Sequence, residues 1–218
     1  MSDITKENIK ELMVEVIKEE EKNNNFKEEI KSLKDKRVWA TKKARMEAEA
    51  RMNRNNLLSQ LLVNYYTFGV LAFSIWTLVS EDSNMSLLTV VASVGLFGLS
   101  IFVSAISYRE KALQYKESYL SLNELEFELK SLLRNKQVEE NEIMSRLYDL
   151  EKRYTEILTK SENHSDIDYI KVLIKHNLKA SSEDLIKYYI HKAGFYIFAV
   201  LLIVAPIILT AIYMRGLE

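Results

Sequence analysis

The sequence predicts an all-α membrane protein: a transmembrane helical hairpin and a third, C-terminal transmembrane helix, joined to a cytoplasmic helical bundle of coiled-coil-like character. Three observations predict it. Leu57–Ser80 and Ser86–Ser107 contain no Lys, Arg, Asp or Glu, and only Glu81–Met85 separates them. Each is long enough to cross a hydrocarbon core, which takes about 20 helical residues. A third uncharged stretch, Ala193–Tyr213, follows near the C-terminus, and the rest of the chain is rich in Lys and Glu with one Pro and five Gly in all. No water satisfies backbone N–H and C=O groups inside a bilayer, so each apolar stretch must be a helix that bonds itself.

Charge is segregated rather than diluted: 28% of the 218 residues are charged and the formal net charge is −1. The chain has no Cys, which excludes disulfides, thiolate zinc sites and cysteine nucleophiles and fits a reducing compartment. The first 56 residues are charged throughout, unlike a signal peptide.

Residues 1–56 are expected to form N-terminal helices that turn basic near the membrane. Ile9, Leu12, Met13, Val16 and Ile17 recur at helical spacing within residues 1–22. The opposite face holds more acids than bases, so this helix should pack on a neighbour rather than on an anionic leaflet. Asn23, Asn24 and Asn25 read as a loop, and a second helix should run from about Phe26 into the first span. Lys42, Lys43, Arg45, Arg51 and Arg54 form the expected juxtamembrane anchor. Arg45 with Glu49, and Glu47 with Arg51, are spaced to pair along the helix. Ala40, Ala44, Ala48 and Met52 leave a narrow stripe where another helix can approach closely. A basic run of this size also suits nucleic acid, but bases beside a span are the ordinary cytoplasmic anchor, and direct nucleic-acid binding is not expected.

The hairpin occupies 57–107 and the charge bias sets its orientation. Bases crowd before the first span, vanish from Glu81–Met85, and return as Arg109, Lys111 and Lys116; Lys187 and Lys192 precede the third span. The positive-inside rule puts the N-terminus and 108–192 in the cytoplasm, with the short loop and the C-terminal tail outside the inner (plasma) membrane.

Residues 108–180 should be a helical hairpin and a short helix. Tyr115, Tyr119, Leu122, Leu125, Leu129 and Leu132 form one stripe; Ile143, Leu147, Leu150, Tyr154 and Ile157 form the other, with a turn at Asn135–Gln137. Such stripes are bundle seams. The first helix should continue the second span without a break, since no breaker separates Ser107 from Tyr108. Asp166–His176 should be the short helix, with Ile167, Ile170, Leu173 and Ile174 inward. In 181–218, Ser181 or Ser182 followed by Glu183 and Asp184 starts a helix that runs into the third span, 193–213, with a kink at Pro206.

No catalytic constellation emerges, and neither an enzyme nor a cofactor is expected. His164, His176 and His191 are scattered without carboxylates at ligand spacing, and no Gly-rich phosphate loop exists. Asp166 and Asp168 beside His164 are better explained as helix-start acids. The spans are more informative. Gln60, Asn64, Thr67 and Ser74 share one helical face, as do Ser93, Ser100, Ser104 and Ser107. Side chains of this kind avoid lipid. Two readings stay open: interhelical packing, or a water-lined path, which requires a homo-oligomer because three spans cannot enclose a channel.

The layout resembles the SLATT family, two-transmembrane effectors found with nucleotide-signalling and other prokaryotic anti-phage systems. The likeness lies in Thr41-Lys42-Lys43-Ala44-Arg45, Asn64-Tyr65-Tyr66, Tyr108–Leu122, Tyr154-x-x-Ile157-Leu158 and Glu162-Asn163-His164-Ser165-Asp166-Ile167-Asp168-Tyr169, over about 30 to 180. It is most similar to the branch carried beside reverse transcriptases. The resemblance implies a membrane effector of abortive infection that opens or disrupts the inner membrane when a sensor partner encoded nearby, a nucleotide cyclase or reverse transcriptase, detects phage. It also implies that Arg45, Asn64 and Tyr65 belong to the structural core, and that Asn163, His164, Asp168 and Tyr169 cap the cytoplasmic helices or meet the partner. A non-conducting membrane scaffold that recruits a partner protein is the alternative.

Overall fold

The computed structural model describes residues 24–80, 83–134 and 140–215. The helix expected in residues 1–22 and the turn expected at Asn135–Gln137 lie outside them. Every regular element among the described residues is a helix. Residues 24–32 are helical, so Asn24 and Asn25 belong to a helix rather than to the expected loop. A π-helical segment, Leu33–Val38, follows and leads into α1, Trp39–Ser80. Its wider turn brings Val38 rather than Arg37 under Leu33; Leu33 and Val38 are both buried while Arg37 stays exposed.

Next come α2, Ser83–Ile106, and α3, Tyr108–Arg134. Helix α2 begins at Ser83, three residues before the uncharged stretch that starts at Ser86. Between α2 and α3 the expected continuity is broken. Ser107 has a φ of 54°, a left-handed conformation that is unfavourable for a residue with a Cβ. Its N–H and hydroxyl both donate to the Ser104 carbonyl, and its own carbonyl accepts from Lys111 N–H to start α3. Local hydrogen bonding by serine is the physical reason, which spacing alone does not reveal.

The remaining helices are α4, Glu140–Thr159; α5, Asp166–Lys175; and α6, Ser182–Arg215. A capping box starts α5: Ser165 Oγ accepts from Ile167 N–H, and Asp168 accepts from Ser165 N–H. It ends in a Schellman motif, with Asn177 at a φ of 53° and Leu178 N–H bonded to the Leu173 carbonyl. Asp168, Ile170 and Val172 are its buried residues and Ile167, Leu173 and Ile174 are half-buried, so an acid and a valine join the side that the apolar periodicity marks as inward. Ser181 is the residue that caps α6, exchanging bonds with Asp184 in both directions.

The chain forms two compact units. The first combines the described residues up to Met46 with Gln114–His164. Its core is Ile30, Leu33 and Val38 with Leu122, Leu125, Leu129 and Leu132 of α3 and Leu147, Leu150, Tyr154 and Ile157 of α4. Arg153 pairs with Glu128 at 2.6 Å and Tyr115 bonds the Asn163 carbonyl at 3.0 Å, which sets α3 and α4 antiparallel. Arg37–Glu151 and Thr41–Tyr154 contacts lay the N-terminal helix parallel to α4, making a three-helix bundle from segments the sequence partition kept apart.

The second unit combines Glu47–Leu113 with the described part of Ser165–Glu218 and holds the helices long and apolar enough to cross a membrane. None of the most apolar stretch of α1 or α6, and 6% of that of α2, is buried against protein. Apolar surface exposed on this scale marks a membrane or protein interface, and on helices of this length and composition it suits lipid.

Candidate functional site

Near one end of the first two spans a polar cleft of about 500 Å³ opens between α1 and α2. It brings together Gln60, Asn64, Ser100, Ser104 and Ser107 of the sequence-predicted face. The other three do not join it. Thr67 and Ser74 donate to the carbonyls of Val63 and Val70, and Ser93 donates to that of Thr89. A hydroxyl bonded four residues back in its own helix is satisfied without a neighbour. Asn56 and the turn after Ser107 complete the cleft, with Tyr108, Arg109 and Glu110 in its wall. In the sequence, Arg109 bears only on orientation. The left-handed serine is what places the start of α3 there.

A second feature joins α1 to α6. Proline has no N–H, so Pro206 leaves the carbonyl four residues back, Leu202, without its helical donor. Tyr66 Oη donates to that carbonyl at 2.7 Å, and Tyr65 Oη donates to the next, Ile203, at 3.0 Å. In hydrocarbon an unpaired carbonyl costs several kcal/mol, roughly, so adjacent tyrosines repair the defect from a neighbouring span. The sequence shows both the Tyr pair and the Pro, but nothing in it aligns them.

The basic residues expected to anchor the chain are mostly engaged within it. In the bundle, Arg45 is fully buried, and its guanidinium donates to the carbonyls of Ile157 and Leu158 at 3.1 and 3.3 Å. It closes the C-terminal turn of α4 rather than facing headgroups or pairing with Glu49. Burial lowers its pKa, with Tyr154 and Tyr115 opposing. Lys42 reaches Glu126 and Asn123, and Lys43 is half-buried. Burial pushes the Glu126 carboxyl up, but Lys130 and Lys42 outweigh it and hold it below its ordinary value.

In the spanning unit, Arg51 makes a bidentate pair with Asp168 at 2.9 and 2.8 Å. Glu47 receives Lys171 at 2.7 Å and Lys175 at 2.9 Å. Burial raises the Glu47 carboxyl, and these two ammonium groups bring it below its ordinary value. Arg54 stacks over the Phe195 ring at 4.9 Å. Of the expected capping or partner residues, Asp168 serves α5, and Asn163 offers its carbonyl to Tyr115. His164 is half-buried and Tyr169 is exposed. Among the described residues no group of three or more His, Asp or Glu is placed to hold a metal ion.

Apolar helices bare of protein cover, a polar cleft between the first two, and a salt-bridged helix beneath them define a polytopic helical membrane protein. The chain belongs to the SMODS and SLOG-associating 2TM effector domain family 5, whose match runs over residues 26–212. That range takes in the third apolar helix, which the resemblance at about 30 to 180 left out. No curated protein and no solved structure matches the chain.

Proposed function

We propose that the protein is a membrane effector of a prokaryotic anti-phage system: triggered by a sensor partner or its second messenger, it oligomerises and permeabilises the inner membrane. The observation that carries the proposal is the polar cleft that gathers Gln60, Asn64, Ser100 and Ser104, with Arg109 and Glu110 in its wall, on helices whose other exposed side chains are largely apolar. Family membership supports the effector role, and the family's name points to SMODS and SLOG proteins as the class of partner. In the assembly several such clefts line one path, since one chain cannot enclose it. No catalysis enters: the work is movement of ions along a gradient that the cell already maintains.

Expression together with the trigger should depolarise cells, read with a voltage-sensitive dye. Gln60→Leu with Asn64→Leu should abolish the signal while the chain stays in the membrane fraction; undiminished depolarisation and toxicity would discard this face. Orientation follows the basic residues, with 108–192 in the cytoplasm. The chain has no Cys, so single cysteines report cleanly. Asp82→Cys should react with an impermeant maleimide in intact cells, and Glu162→Cys only after lysis. The reverse pattern would invert the topology.

A non-conducting scaffold is favoured by one observation: Thr67, Ser74 and Ser93 are satisfied within their own helices, so the polar lining stops part-way along the spans. On that reading, deleting 108–180 destroys partner binding while membrane potential never changes.

A further inference from the structure

Between α1 and α6 lies a basic notch whose wall includes Arg51, Arg54, Lys171 and Lys192 against Glu47 and Asp168. The two acids are taken: Asp168 by Arg51, Glu47 by Lys171 and Lys175. Arg54 and Lys192 instead lie over the rings of Phe195 and Tyr188, at 4.9 and 6.0 Å. Among the described residues, two cations of the notch therefore have no carboxylate partner, at the level where the first and third spans begin. Phe195 also belongs to a second, apolar cavity of about 470 Å³, walled by Leu58, Leu62, Phe102, Phe198 and Leu202. That volume is in the range of ligand cavities, roughly 300 to 1,000 Å³. Asn55, next to Arg54, borders the same cavity, and its buried amide oxygen has no hydrogen-bond donor among the described residues.

We infer that this pair of spaces holds one anionic glycerophospholipid, its phosphate on Arg54 and Lys192 and an acyl chain in the apolar cavity. The three features fit one amphiphile in sequence: cations for the phosphodiester, an acceptor for a headgroup hydroxyl, and an apolar slot walled by side chains of the three apolar helices. Arginine and lysine at this depth attract anionic lipid. The inference does not rest on conduction, since a pore and a scaffold would both keep the lipid.

The test uses the full chain in detergent, titrated with phosphatidylglycerol and with phosphatidylcholine of equal chain length, bound lipid being read by native mass spectrometry. One phosphatidylglycerol per chain should bind, more tightly than phosphatidylcholine. Arg54→Gln and Lys192→Gln should each weaken phosphatidylglycerol binding about fivefold, the usual worth of one basic residue at a membrane surface. Lys187→Gln, one turn away and beside Glu183, should change nothing. Ala199→Phe, which fills the apolar cavity, should weaken both lipids alike. Circular dichroism checks that each variant keeps its helices; should a charge variant lose them, the Ala199→Phe result decides. Equal phosphatidylglycerol retention by wild type and the Arg54→Gln/Lys192→Gln double variant overturns the inference. So does competition by glycerophosphoglycerol or inorganic phosphate equal to that of intact lipid, which leaves a simple anion site.

Discussion

The two units are built from the same element and held by opposite means. In the bundle, leucines at Leu122, Leu125 and Leu129 are fully buried, and charged side chains cover the outside. In the spanning unit the apolar residues face outward, Phe68 at 74% exposed and Leu78 at 82%, while polar groups make the cross-helix bonds. Water drives leucines together in the first case. Lipid tails are as apolar as leucine, so in the second only hydrogen bonds and close packing favour association. A helix here is stabilised by what its solvent lacks.

The largest test of that contrast is a core truncation. Leu125→Ala should cost about 2–5 kcal/mol, seen as a lower melting temperature of the full chain, while Phe68→Ala should change it little. Comparable losses at both sites would mean that Phe68 is packed against protein.

Arg45→Ala comes next, at about 2–3 kcal/mol, because the Ile157 and Leu158 carbonyls lose a charged donor inside the bundle. A lipid anchor predicts something else: weaker membrane attachment with unchanged melting.

Tyr66→Phe should cost about 0.6–1.7 kcal/mol, the usual worth of one hydrogen bond between spans. Combining it with Pro206→Ala sharpens the point. The new N–H at position 206 can bond Leu202, so Tyr66→Phe should be close to neutral in that background. Equal costs in both backgrounds would refute the repair of the proline defect.

Acid should produce the smallest effect. Glu47 and Glu126 are held below the ordinary carboxylate value of 4.5 in the folded chain, so they release protons more readily folded than unfolded. Their contribution is complete above pH 4.5 and is lost as pH falls through their folded values. Glu126→Gln should flatten melting temperature against pH in that acid window only.

Much of this was legible in order along the chain. The stripes from Leu122 to Leu132 and from Leu147 to Ile157 are the bundle core, because period is a local property. The uncharged stretches correspond to helices of the necessary length and composition. Charge partners were not legible. Glu47 and Arg51 stand four apart, yet the strong partners of both come from α5, more than a hundred residues on. The Ser107 break was not legible because a serine in the left-handed region is permitted by its own hydrogen bonds, not announced by its type.

The sequence by itself determined that the chain is helical, which stretches are long and apolar enough to cross a membrane, and which stripes of α3 and α4 form the bundle core. Hydropathy and periodicity are sums over neighbours in the chain. Only the tertiary structure decided that Arg45 seals the end of α4, that Asp168 receives Arg51, and that two tyrosines meet the carbonyls at Pro206. Each of those bonds joins residues far apart in sequence, and its energy depends on an angle and a distance that no local pattern encodes.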